Sequence, residues 1–193
     1  METLVPTLAG LALMAAVVYL FRRVVGAPRG VSREDPPGIR SVAVFRGDDP
    51  DLFADDRADE PYVGVRLFRQ LCAALSARGV VIEQTGPVQN AQGARCVVDG
   101  EPLGVVLEWV EGQWALSVEW APRSKAEVRH VLLAQEFYAP ADTIALRRLL
   151  ALLDGWLKEH PKLSDVGWRR KEDWMDQRPS VPSATPFDGE PPA

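Results

Sequence analysis

Residues 107–120, LEWVEGQWALSVEW, place three tryptophans around a Glu111-Gly112 pair. A Glu-Gly pair between two apolar runs suits a two-residue hairpin turn, and such a turn pairs residues whose numbers sum to 223. Trp109 then faces Trp114, Leu107 faces Leu116, Val105 faces Val118 and Leu103 faces Trp120. Side chains alternate along a strand, so all of these share one face, and a slip of one residue would turn half of them outward. The other face carries Glu108, Gln113, Ser117 and Glu119 with Val106 and Val110, and reads as wet. A sheet with one apolar and one wet face needs helices over its apolar side. The expected fold class is therefore α+β: an antiparallel meander sheet in a two-layer domain, with the tryptophans in the core rather than on a binding surface.

The remaining elements follow from periodicity and turn chemistry. SVAVFR (41–46) reads as a first strand. A helix runs from about Tyr62 to Arg78, with Val65, Phe68, Leu71, Cys72 and Leu75 on its apolar face and Gly79 as its stop. VVIEQT (80–85) is a short strand, GPVQNAQG (86–93) a loop, and Arg95 to Val98 a strand joined to the hairpin by an Asp99-Gly100 turn. Ser124 and Glu127 have the spacing of a capping box, which places a helix over Lys125 to Phe137. Asp142 is the expected cap of a last long helix ending near His160, whose wide apolar stripe includes Leu146, Leu149, Leu150, Leu153, Trp156 and Leu157. That helix and the Tyr62 helix are the natural lids. GWRRKEDWM (167–175) is expected to dock back on the domain, with contact to a membrane surface as the alternative. From Arg178, RPSVPSATPFDGEPPA holds five prolines and is expected to be disordered.

Ahead of the domain, TLVPTLAGLALMAAVVYLF (3–21) contains no charge. At about 1.5 Å per residue it spans roughly 28 Å, close to the roughly 30 Å hydrocarbon core of a bilayer. A cleaved signal peptide would have a basic start and a small-residue cleavage site, whereas this run begins after Met1-Glu2 and ends in Tyr19, Phe21, Arg22 and Arg23, residues that anchor at an interface. Residues 1–23 therefore read as a retained single-pass anchor. Arg22, Arg23, Arg29, Arg33 and Arg40 all follow it, which puts the soluble part in the cytoplasm by the positive-inside rule. Residues 24–40 read as a flexible linker, 41–177 as the domain and 178–193 as the tail. The scarcity of lysine and the single asparagine, Asn90, suggest a GC-rich bacterial source.

The chemistry expected of the chain is sparse. GxSxG, P-loop, GxGxxG and HExxH motifs are all missing, and His130 and His160 are the only histidines. Both read as structural, His160 at a helix end where an imidazolium is favoured. Cys72 and Cys96 fit neither a CxxC nor a zinc spacing and read as buried thiols. Glu108 and Glu119 share the wet face, but Glu119 faces Gly104, so about 13 Å of strand separates them, beyond the roughly 5 to 9.5 Å of paired-carboxylate glycosidases. They read as two solvated charges. No cofactor or metal is expected. Residues 41 onward hold 17 basic and 24 acidic side chains, a balance that disfavours nucleic acid.

One segment stands out for a partner. GDDPDLFADDRADE (47–60) gathers Asp48, Asp49, Asp51, Asp55, Asp56, Asp59 and Glu60 against Arg57 and lacks EF-hand spacing. It reads as a solvated acidic loop and as the candidate docking site for a basic protein. The resulting expectation is a non-catalytic interaction or regulatory module on the inner face of a bacterial membrane. A toxin-neutralising or assembly-accessory protein that meets a basic partner through the acidic loop is the second reading, and an enzyme of unfamiliar type the third.

Overall fold

The computed structural model describes residues 31–56, 63–134 and 137–189, without the side chains of His130 and 132–134. The apolar run 3–21, linker residues 24–30, Asp59, Glu60 and the end of the tail lie outside the described residues. Val31–Ala121 and Phe137–Ala193 form one compact unit, and Pro122–Glu136 belongs to a second. In chain order the elements are β1 (Val42–Arg46), a 3₁₀ turn (Pro50–Phe53), α1 (Val65–Ala77), β2 (Val81–Val88), β3 (Ala91–Val98), β4 (Glu101–Val110), β5 (Gln113–Trp120), α2 (Lys125–Ala134), α3 (Ile144–Glu159), β6 (Ser164–Arg169) and α4 (Lys171–Met175). All but α2 lie in the first unit. The strands form one antiparallel sheet in the order β2-β3-β4-β5-β1-β6.

The central hairpin has the expected register, from Leu103 opposite Trp120 to Trp109 opposite Trp114. Both turn residues, Glu111 and Gly112, have positive φ, as do Asp99 and Gly100 in the preceding turn, the conformation that matches the twist of a hairpin. On one face Phe45, Cys96, Leu103, Leu107, Trp114 and Leu116 are buried against Leu67, Leu71 and Leu75 of α1 and Leu146, Leu149 and Leu153 of α3. The tryptophan face is therefore core at Trp114, with Trp109 half-buried against it and Trp120 half-buried edge-on to Tyr138. Trp114 is fully buried and its indole Nε1 donates to the Gly47 carbonyl at 2.8 Å.

Helix α1 starts at Val65 rather than Tyr62, because Gly64 sits in the left-handed region at φ 83°. Only glycine fits there, since a Cβ would stand 2.6 Å from the Trp114 ring. The exposed first-turn amides are capped from a distance: Asp56 accepts from Gly64 N at 2.8 Å and from Val65 N at 2.9 Å. Asp56→Ala is expected to cost about 0.5 to 2 kcal/mol, the usual range for a lost cap, read as a shifted midpoint in urea denaturation. The cap of α3 is Thr143, whose hydroxyl accepts from Leu146 N at 3.1 Å. Asp142, one residue too early, instead accepts from the Arg147 guanidinium at 2.6 and 2.7 Å. In the second unit the Ser124–Glu127 capping box forms as expected, with Ser124 N donating to Glu127 at 2.8 Å and Glu127 N to the Ser124 hydroxyl at 3.3 Å.

Three expectations are corrected. Residues 86–88 and 91–93 are strand rather than loop, with Gly86 paired to Gly93 and only Gln89 and Asn90 left as the turn between them. Gly and Pro are tolerated there because β2 is an edge strand. The segment expected to dock back does so: residues 164–169 form a strand, β6, that pairs with β1 and buries Trp168. The described part of the linker packs on the domain, with Asp35 and Ile39 buried and Ser32 bridged to Ala139. The proline-rich tail is ordered through Gly189: Ser183 exchanges both backbone hydrogen bonds with Trp168 on the outer edge of β6, and Phe187 is buried. Pairing with Ser183 shields an edge that would otherwise present free amide groups.

Candidate interaction groove

The sheet's second face is not wet along its whole length, contrary to the sequence reading. Val42 and Val44 of β1 are buried on it, as is Glu119 of β5, which is 5% exposed. Its cover is the short helix α4, held in place by the linker. Asp35 Oδ2 accepts from Ser41 N at 2.8 Å and from Lys171 N at 2.9 Å, while the Asp35 amide donates to Glu172 at 3.0 Å. Arg170 adds a bond from Nη2 to the Asp35 carbonyl at 2.7 Å and pairs with Glu172. These contacts seat Lys171 over β5, where Nζ donates to Glu119 Oε1 at 2.5 Å and is 1% exposed. Gly104 lies opposite Glu119, where a Cβ would come within 3.0 Å of the Glu119 Cβ.

One turn along α4, Trp174 reaches back to β4 and its Nε1 donates to Glu108 Oε1 at 3.3 Å. Between these two contacts lies a cavity of about 240 Å³, walled by Val42, Val106, Phe137 and Met175 and bearing Glu108, Glu119, Lys171 and Trp174. A recess of about 480 Å³ adjoins it, shares Glu108, Trp174 and Met175, and continues past Val110 and Gln113. Burial raises the carboxyl of Glu119 even though Lys171 opposes the shift, and burial likewise raises those of Glu108 and Asp35. Ser117 and Ser41 oppose these shifts at Glu119 and Asp35, and among the described residues Glu119 Oε2 and Asp35 Oδ1 are buried with no donor within hydrogen-bonding distance.

The acidic loop is organised differently. Asp49 caps the 3₁₀ turn by accepting from Asp51 N at 2.9 Å, and Lys162 bridges Asp49 at 3.1 Å and Asp51 at 2.6 Å. Asp55 holds Arg66 at 3.0 Å and Arg69 at 3.1 Å. The bond to Asp51 N lowers the Asp49 carboxyl and the bond to Arg66 lowers that of Asp55. With Asp56 capping α1, four of the seven carboxylates have local structural partners, Asp48 is exposed, and Asp59 and Glu60 lie outside the described residues.

Other reactive groups are muted by their surroundings. Burial pushes the thiol of Cys72 up to about 11 and that of Cys96 up to about 12, so neither is a thiolate at neutral pH. His160 corrects its sequence reading: burial lowers its pKa, Nδ1 accepts from Lys162 N at 3.3 Å, and Nε2 faces Gln70 Oε1 at 3.2 Å, so the ring is neutral at the helix end. Among the described residues no group of three or more His, Cys, Asp or Glu is arranged to hold a metal ion.

The sequence singles out Glu108 and Glu119, but not Trp174 and Lys171 as their partners, nor Asp35, which holds the Lys171 amide. A signal was present in VAVF of β1, apolar at successive positions and so suited to burial on both faces. No family model, curated protein or solved structure matches the chain.

Proposed function

We propose that the protein is a membrane-anchored, non-catalytic interaction module of a bacterial cell, with its domain in the cytoplasm and its working surface in the groove between β4 and α4. The groove is the observation that carries this reading. It joins an apolar wall, an aromatic side chain, the buried Glu119 and the half-buried Glu108 in one concave strip on the sheet face opposite the helical lids. Charge favours it over the acidic loop, whose Asp49, Asp51, Asp55 and Asp56 are already spent on Lys162, Arg66, Arg69 and the start of α1.

The anchor rests on the uncharged run 3–21, since among the described residues no helix is long and apolar enough to cross a membrane. Tethering serves a binding module because it raises the effective concentration of a partner held at the same surface. Alkaline phosphatase fused after Ala193 is expected to be inactive in cells, and high activity would reverse the topology. A photocrosslinking residue at the exposed Met175 position is expected to trap one protein partner in cells, and to trap much less when residues 1–24 are removed. Turnover of a small molecule by the purified protein would overturn the non-catalytic reading.

A further inference from the structure

We infer that the cavity at Glu119 receives the cationic head of a lysine or arginine side chain carried by an extended segment of the protein partner. The inference rests on the groove being the working surface and adds the chemistry of what enters it. Its starting point is an acceptor without a donor. Glu119 is buried and lines the cavity beside Ser117, Lys171 takes only Oε1, and among the described residues no donor stands within hydrogen-bonding distance of Oε2. A buried carboxylate oxygen that has lost its water costs stability unless a donor reaches it.

The charges nearby set the sign of that donor. Of the charged side chains that line the cavity, Glu108 and Glu119 stand against Lys171 alone, which leaves one negative charge in excess. A protonated amine or guanidinium offers several N–H donors and the missing positive charge, and no acceptor that would compete with the protein's own.

The shape selects a side chain over a free amine. About 240 Å³ is room for roughly eight waters at ~30 Å³ each, and the walls of Val42, Val106, Phe137 and Met175 suit the aliphatic stem of a long basic residue. The adjoining recess continues along β4 to Val110 and Gln113, a course that an extended main chain can follow while one side chain turns inward.

The test uses the full chain in mild detergent and follows the Trp174 indole N–H signal by NMR, because that proton points at Glu108. The probes are capped pentapeptides Ala-Val-Xaa-Val-Ala in which Xaa is lysine, arginine, norleucine or glutamate, together with n-butylammonium. Lysine and arginine peptides are expected to shift the signal saturably in the millimolar range, and norleucine to bind at least about tenfold more weakly, equivalent to ~1.4 kcal/mol. Glu108→Gln, a change at a half-buried position that preserves shape, is expected to weaken the lysine peptide to a similar extent, and Glu119→Gln to do the same.

Equal binding by norleucine, tighter binding by glutamate, absence of saturation by the lysine peptide, or indifference to Glu108→Gln would each overturn the inference. Butylammonium binding as tightly as the peptide would also overturn it, in favour of a small-amine site. The crosslinking test stands apart: a partner trapped from Met175 alongside failed peptide titrations removes the cation pocket but keeps the interaction module, and the reverse pattern removes the module but keeps the pocket.

Discussion

Replacing Trp114 with alanine is expected to destabilise the domain by about 3 to 5 kcal/mol, the range for deleting a large buried aromatic side chain. The indole is fully buried, so its whole surface was removed from water on folding. It is also the centre of a ring cluster, with Phe53 stacked at 5.1 Å and Trp109 edge-on at 4.7 Å, and such pairs add to the plain burial of area. Truncation would leave the Gly47 carbonyl without its donor and open a cavity beneath Gly64, whose lack of a Cβ is shaped to the same ring. Gly64→Ala should therefore be costly for a separate reason, as it places a methyl 2.6 Å from the Trp114 ring and strains a φ of 83°. Chemical denaturation of both variants measures the two effects. A midpoint for Trp114→Ala that matches the parent would mean that the ring cluster contributes nothing.

What could be read in the sequence was whatever is decided over short distances along the chain. The Glu111-Gly112 turn fixed the register of eight facing pairs because both strands lie beside it. The Ser124–Glu127 box and the stripe of Leu146, Leu149, Leu150 and Leu153 are likewise written within a few turns of helix. The second face was misread because its cover arrives from elsewhere in the chain. Lys171 lies 52 residues from Glu119 and 136 from Asp35, and neither partner carries a local signal of burial. SDVGWR has glycine at its centre and little apolar alternation, so β6 emerges only from its pairing with β1. The tail was read as disordered on composition, yet proline suits an edge that needs a single pair of backbone hydrogen bonds, as Ser183 provides. For the candidate site, density of charge along the chain pointed to the acidic loop, whereas the fold spends most of that charge on caps and ion pairs and gathers its unsatisfied acceptors around α4.

Lys171→Met is expected to cost about 3 to 5 kcal/mol, because it leaves the Glu119 carboxylate buried and without its cation. The substitution keeps the length of the stem and leaves the bond from the residue 171 amide to Asp35 in place, so it isolates the ammonium. Joining it to Glu119→Leu removes both charges, and the double variant is expected to recover most of the loss, since an apolar pair of similar volume often matches a buried ion pair. Recovery would show that the single-variant cost comes from a stranded charge and not from poor packing of methionine. The pH dependence gives an independent reading. Burial already raises the Glu119 carboxyl above its usual 4.5 with Lys171 opposing the shift, and loss of the ammonium raises it further. A carboxyl whose folded pKa exceeds the unfolded one favours the fold at low pH, and that contribution fades as pH rises through the folded value. The deficit of Lys171→Met relative to the parent should therefore be smallest in acid, where Glu119 carries a proton and needs no counter-charge, and should widen only once the pH passes the parent's own Glu119 pKa, which burial holds above the usual 4.5. Urea midpoints of both proteins between acid and neutral pH measure the difference. A deficit that stays flat across that window, or a double variant no more stable than Lys171→Met alone, would show that the Lys171–Glu119 pair is not what secures α4 to the sheet.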